Sequence, residues 1–262
     1  MLKLLLLTDL LHLLKSQNTC KEEWDILSLN STNWSPIGDV SVDSKSGFLT
    51  FYRDANNKVA QGDIGGLAWY KVNRNGHSGI KISFTPVITV DLNYYGNVKY
   101  PQGFALVFTA NSIQNSIGNK RSGLGYDGIE NSIAFEWDFI QNADKKDVRD
   151  VHFSAHYNLN GKISSASPTD CTKLCNVKLS NFYDTQKLGY KSVEYSLEIY
   201  GGKLFLYENG QAVSSLNGVK FPQMDLLMDN SQVYFGVSAA MNLYKAVSIQ
   251  NLKFYKSKQF SY

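Results

Sequence analysis

Apolar and polar residues alternate in short runs along most of this chain, and clusters of Gly, Asn, Asp and Ser separate the runs. The pattern predicts strands over 47–52, 66–72, 79–90, 103–109, 132–140, 151–158, 191–200, 202–208, 232–240 and 246–255. Short strands at such spacing point to an antiparallel sandwich. Glu208-Asn209-Gly210-Gln211 predicts a tight hairpin, because Asn-Gly accepts the positive φ of a type I′ turn. No long amphipathic helix follows residue 16, no internal repeat is present, and five prolines are spread thinly.

Composition agrees with strands. Of 262 residues, 43% are apolar, enough to fill a core, and the 16 Tyr, 14 Phe and 4 Trp suit a pleated surface. The formal net charge of +3 supplies no strong field for nucleic acid or an anionic membrane. The arginines (Arg53, Arg74, Arg121, Arg149) are scattered, whereas a phosphate-reading surface draws on the planar guanidinium fork. Nucleic acid is therefore not an expected partner.

Residues 1–16, MLKLLLLTDLLHLLKS, place one lysine before a leucine run and a small residue, Ser16, at its end, as a secretory signal peptide does. The run is too short to span a bilayer, and no later stretch approaches about 20 apolar residues. The expected organisation is a signal peptide over 1–16, one domain over 17–256, and a short polar tail over 257–262. A secreted or lumenal location follows from it. In an oxidising compartment Cys171 and Cys175 could close a small loop as a disulfide, with Cys20 left over. Two sequons, at Asn30 and Asn33, would matter for glycosylation in the same compartment.

The stretch Ile133-Ala134-Phe135-Glu136-Trp137-Asp138-Phe139-Ile140-Gln141-Asn142 carries the chemistry. As a strand it turns Phe135, Trp137 and Phe139 to one face, and Glu136 and Asp138 to the other. Side chains two residues apart on a strand are separated by about 6.5–7 Å. Two neighbouring carboxylates on one face need a cation, a shared proton or open water. Asn142, Asp147, Asp150 and His152 follow. Oxygen ligands suit Ca²⁺, and an added imidazole suits Mn²⁺ or another transition metal. A solvated polar face beside a surface loop is the plainer alternative. His156, four residues after His152, reads as a packed or solvated histidine.

This run resembles the metal-binding strand of the L-type (legume-type) lectins, and of their bacterial and protist relatives. Ala134-Phe135-Glu136-Trp137-Asp138 matches that strand, and Asn142, Asp147 and His152 stand at the family's spacings. Pro101-Gln102-Gly103-Phe104-Ala105-Leu106-Val107 resembles the family's Ala-Asp-Gly-Phe-Ala-Phe strand. Gly123 to Ser132 is similar to the glycine-rich lead-in of bacterial members, and Val233 to Ala240 to a late Gly-Phe-Ser-Ala strand. The resemblance implies an all-β fold, an antiparallel β-sandwich of the concanavalin-like jelly-roll kind, with 132–140 central in the concave sheet. It implies Mn²⁺ at Glu136, Asp138, Asp147 and His152, and Ca²⁺ at Asp138, the Ile140 carbonyl, Asn142 and Asp147. Asp150 competes with Asp147 for its role. It further implies a sugar site at Gln102, Gly123 and Asn142, glycans or glycoproteins as partners, and compatibility with a homo-oligomer or larger assembly.

One departure bears on binding. The family's sugar-binding Asp is replaced by Gln102, whose neutral amide forms weaker hydrogen bonds than a carboxylate. The aromatic that stacks on the sugar is replaced by Ile140, with Tyr126, Tyr157 or Tyr244 as substitutes. A sandwich protein that has lost the sugar is thus one alternative. A glycoside hydrolase is a weaker one. Retaining hydrolysis needs two carboxyls about 5–5.5 Å apart. A sandwich family of endo-glucanases that this pattern resembles carries them as Glu-x-Asp-x-Glu, with or without one inserted residue. That resemblance implies a second catalytic position at Ile140 or Gln141, neither of which transfers a proton. The expectation is a binding protein, not an enzyme. The Gly123-x-Gly125-x-x-Gly128 spacing matches a dinucleotide fingerprint but precedes a strand rather than a helix.

Overall fold

The alternation around Glu136 is realised as a strand buried on both faces. In the computed structural model, residues 130–138 run extended, with Ile133, Phe135 and Trp137 in the main core and Ala134, Glu136 and Asp138 on the opposite face. The structure describes residues 24–27, 29, 33–43, 48–51, 64–73, 79–90, 102–110, 117–148, 151–166, 173–180, 183–184, 189–190, 192–228, 232–241 and 245–257.

The strands, in chain order, are β1 (Trp24–Leu27), β2 (Trp34–Gly38), β3 (Val40–Val42), β4 (Leu49–Phe51), β5 (Ile64–Asn73), β6 (Gly79–Val90), β7 (Gly103–Thr109), β8 (Glu130–Asp138) and β9 (His152–Lys162). They continue with β10 (Val177–Lys178), β11 (Tyr183–Asp184), β12 (Gly189–Tyr190), β13 (Tyr195–Tyr200), β14 (Lys203–Glu208), β15 (Gln211–Lys220), β16 (Gln232–Met241) and β17 (Lys245–Ser257). One short helix, α1 (Gln223–Met228), and 3-10 turns at Arg121–Gly123 and Ala143–Lys145 complete the described elements.

Apart from β11 and β12, which pair with each other, these strands form two large antiparallel sheets. One has eight strands, ordered β15-β14-β13-β6-β17-β4-β3 with β1 also on β17; the other has seven, ordered β10-β9-β8-β7-β16-β5-β2. Between them lies a core rich in aromatic rings. Trp137 stacks on Phe104 at 5.1 Å between centroids and meets Phe84, Phe153 and Tyr195 edge-on. These contacts fix the strand that carries the two carboxylates. A second apolar cluster covers the other face of the seven-stranded sheet, where Leu124, Tyr126 and Ile129 of the 117–129 loop pack on Leu67, Trp69, Ala105, Val107, Ala134 and Ala240.

The predicted all-β sandwich is present, and the ten predicted strands have counterparts. The hairpin after β14 is also as expected, with Asn209 at φ 48° and Gly210 at φ 76°. β15 is an addition. Gln211–Lys220 buries only Leu216, so its alternation is too weak to see in sequence. β8 ends at Asp138 rather than Ile140, because the Asp138 carboxylate accepts the Ile140 N–H at 2.8 Å and turns the chain.

Candidate functional site

The register of β8 on β9 sets the site. Asp138 faces His152, Glu136 faces Ser154, and Ala134 faces His156. Glu136 therefore lies diagonally between two imidazoles, about 7–8 Å from each at the backbone, within side-chain reach. Glu136, Asp138, His152, Ser154 and His156 are all buried.

Beyond Asp138 the chain makes a tight loop. The Asn142 N–H donates to Asp147 Oδ2 at 2.9 Å, and Gln141 Nε2 donates to the Asp147 carbonyl at 3.0 Å. Lys146, at φ 62°, reverses the chain and returns Asp147 toward β9. Val151 is held at φ 48°, a left-handed conformation costly for a β-branched residue. Its burial, and the Leu179 N–H donated to its carbonyl at 3.2 Å, oppose relaxation just before His152.

The carboxylates of Asp138 and Asp147 and the His152 imidazole converge, with ligand atoms within 4.8 Å of one another, all buried. Asp147 Oδ1 accepts no hydrogen bond among the described residues and faces His152 Nε2 at 3.5 Å. Burial, then the charge of Glu136, pushes Asp138 well above the usual carboxylate range, despite the Ile140 N–H and Asn142 amide that favour its charge. Burial acts on Glu136 in the same direction, but the charge and hydrogen bond of His156, then His152 and Tyr126, hold it below its ordinary value. A buried acid raised in this way is a place where a cation lowers the free energy of the charged form.

Asn142 extends the oxygen cluster. Its Nδ2 sits 3.0 Å from the Ile140 carbonyl, 3.1 Å from Asp138 Oδ2 and 3.3 Å from Gln102 Oε1. An NH₂ has two hydrogens, and three acceptors surround this one. Oxygens from a carboxylate, a main-chain carbonyl and an amide around one point are the donor set that suits Ca²⁺. The residues present therefore fit the implied ions: one orphaned buried carboxylate oxygen beside an imidazole, and the adjoining oxygens of Asp138, Ile140 and Gln102 gathered around the Asn142 amide.

Gln102 reaches Asn142 because Gly103 presses its backbone against β8; a Cβ there would strike the Trp137 carbonyl. Gly123 is fixed just as tightly, since a Cβ would come within 2.8 Å of Asn119 Cβ and 3.0 Å of Asp127 Cβ. Its loop is tied to the Asn142 loop twice, by Ser122 Oγ donating to Asp144 Oδ2 at 3.0 Å and by Lys145 pairing with Asp127 at 2.6 Å. The loops bearing Gln102, Gly123 and Asn142 thus meet beside Asp138.

Other sequence candidates fall elsewhere. The Ile140 side chain is half-buried against the main core, while its carbonyl belongs to the oxygen cluster at Asn142. Tyr126 is buried and bound to Glu136, and Tyr157, 49% exposed, packs edge-on to Phe221, so neither lies open at this site for stacking. Cys175 is buried and Asn33 exposed, whereas Cys20, Cys171, Asn30, Asp150 and Tyr244 lie outside the described residues, as does the leucine run. His156 is packed, as expected, and in addition its Nε2 lies 2.9 Å from Glu136 Oε1. Lys145, Asp127 and Asn176 were not legible as site residues. Asn176 bridges two segments, its N–H donating to Ser154 Oγ at 2.9 Å and its Oδ1 accepting the Val148 N–H at 3.0 Å.

No family model matches the chain, and no curated protein does. Solved structures do. A lectin from Bauhinia forficata in complex with GalNAc aligns at 17% identity and TM-score 0.60, over 91% of this chain and 99% of that one. The chain has the legume-lectin fold. The metal-free form of lectin I-B4 from Griffonia simplicifolia aligns at 15% identity and TM-score 0.59, over 90% and 100%. Winged bean acidic lectin complexed with methyl-α-D-galactose gives 18% and 0.60 over the same shares. Likeness at such identities concerns the legume-lectin architecture alone. Among the described residues, no helix is long and apolar enough to cross a membrane.

Proposed function

We propose that this legume-lectin-like protein binds glycans at a site organised by Ca²⁺ and a transition metal, Mn²⁺ by preference, and that it catalyses no reaction. The observation that carries the reading is the convergence of buried Asp138, Asp147 and His152 beneath the loop that holds Asn142. Glu136, Asp138, Asp147 and His152 would hold the transition metal. Asp138, the Ile140 carbonyl, Asn142 and Asp147 would hold Ca²⁺. The ions would neutralise the carboxylates and fix the loop, so that ordering Asn142 does not oppose sugar binding. Asn142, Gly123 and Gln102 would contact the sugar. Acid would release the ions, because only deprotonated ligands bind.

The same reading places the protein in the secretory pathway or outside the cell, with residues 1–16 removed, Cys171 paired with Cys175, and glycans at Asn30 and Asn33. Mass spectrometry of the secreted protein tests all three, and an intact N-terminus with three free thiols contradicts the first two. Gln102 supports a second reading, a sandwich protein that has kept its ions and lost the sugar, since its amide already accepts from Asn142 at 3.3 Å. Glycan-array binding with and without EDTA separates the two. The lectin binds an array component and loses it to EDTA; the second reading gives no binding in either condition.

A further inference from the structure

Two side chains grip Glu136 from outside the ion site. Tyr126 O–H donates to Oε2 at 2.6 Å, and His156 Nε2 lies 2.9 Å from Oε1. Both residues are buried, and their rings lie against each other at 6.3 Å between centroids. An ionised carboxylate only accepts, so the imidazole meets it with an N–H and the phenol with an O–H. One oxygen, Oε1, also faces His152 Nε2, at 3.9 Å. Two atoms bound to one ion at about 2.1 Å each lie at most about 4.2 Å apart, so Oε1 and His152 Nε2 can share an ion. Oε1 has a second lone pair for it after His156 has taken the first.

From this geometry, and resting on the metal reading above, we infer that His156 and Tyr126 are positioning residues of the transition-metal half of the site, holding Glu136 so that Oε1 is aimed at an ion shared with His152. Neither residue is a ligand. They fix the Glu136 rotamer, as hydrogen-bonded partners behind a ligand generally do. The Ca²⁺ half makes no use of Glu136, so the clamp acts on one ion and not on the other. Its origin is sequence register: His156 is four residues from His152 on β9, which puts the two imidazoles on opposite sides of Glu136. Tyr126 arrives from the glycine-rich loop that also carries Gly123, so this clamp links the metal to the candidate sugar loop.

The test is competitive metal titration of the EDTA-stripped full chain with Ca²⁺ and with Mn²⁺, the latter followed by electron paramagnetic resonance of free Mn²⁺. The variants are His156→Phe, His156→Gln and Tyr126→Phe. Loss of a hydrogen-bonded partner behind a ligand typically weakens a metal by about 10–100-fold, and His156→Phe should do so for Mn²⁺ while Ca²⁺ stays within about twofold. His156→Gln restores an N–H at similar reach and should recover most of the Mn²⁺ affinity, which a purely volumetric role would not allow. Tyr126→Phe should weaken Mn²⁺ as well. Unchanged Mn²⁺ affinity in His156→Phe and Tyr126→Phe overturns the inference alone, and so does a parallel loss of both ions. A parent chain that binds Ca²⁺ but no transition metal overturns the metal reading, and the inference with it.

Discussion

The amide nitrogen of Asn142 lies 3.1 Å from Asp138 Oδ2, so the side chain proposed to meet the sugar is held by the carboxylate proposed to serve both ions. Local geometry enforces this. Asp138 ends β8 and folds its other oxygen back onto the Ile140 N–H, leaving Oδ2 for Asn142. Ion binding and sugar binding are therefore coupled through one residue.

Replacing Gln102 by Asp should strengthen glycan binding. A charged acceptor in place of a neutral one is worth about 1–2 kcal/mol, or roughly 5–30-fold in affinity. The gain should appear only with Ca²⁺ bound, because otherwise the new carboxylate adds to the negative cluster around Asp138. Isothermal titration of parent and Gln102→Asp with the best array ligand checks it; equal affinities contradict the role given to position 102.

Lys145→Met should loosen the two sugar-site loops from each other. The Lys145 ammonium and Asp127 are mostly buried, with side-chain exposures of 15% and 11%. Removing a charged partner from such a pair costs on the order of 1.5–3 kcal/mol. Chemical denaturation should show that loss, and glycan affinity should fall while Ca²⁺ affinity changes little, since Lys145 touches neither the Asp138 nor the Asp147 carboxylate among the described contacts.

The strand pattern and the hairpin at Asn209-Gly210 were readable in the sequence, because each rests on local periodicity or turn chemistry. The grouping of Asp138, Asp147 and His152 followed only from the resemblance to L-type lectins, the loop register leaving Asp147 and Asp150 as alternatives. The clamp on Glu136 was not readable. His156 shares the strand periodicity of His152, but its meeting with Glu136, like that of Tyr126, comes only through cross-strand register and loop packing. β15 was missed because it buries one side chain, so no alternation marks it. The Lys145–Asp127 pair spans two loops, one of them packed closely around Gly123, which sequence shows only as a glycine.

Alkaline pH should unfold the protein through Tyr195 among other groups. Burial, then the charge of Glu208 and the hydrogen bond to it at 3.1 Å, raises the Tyr195 phenol well above its ordinary value. A folded-state value above the unfolded one means the stabilisation is complete below the unfolded value of about 10 and is lost as pH rises beyond it. Tyr195→Phe should lose about 1 kcal/mol at neutral pH, from the missing hydrogen bond, yet flatten the alkaline decline. Denaturant midpoints measured from pH 7 to 11 check this; parallel curves for the two proteins contradict it.

Calorimetric titration of the EDTA-stripped protein with Ca²⁺, then with an array-selected glycan, tests the central claim most directly when parent and Asp138→Ala are compared. The parent should bind Ca²⁺ and, only afterwards, the glycan. Asp138→Ala should bind neither, because the shared ligand is gone and the Asn142 loop is released. An Asp138→Ala protein that takes up Ca²⁺ as well as the parent, or a Ca²⁺-loaded parent that binds no glycan, would contradict the account.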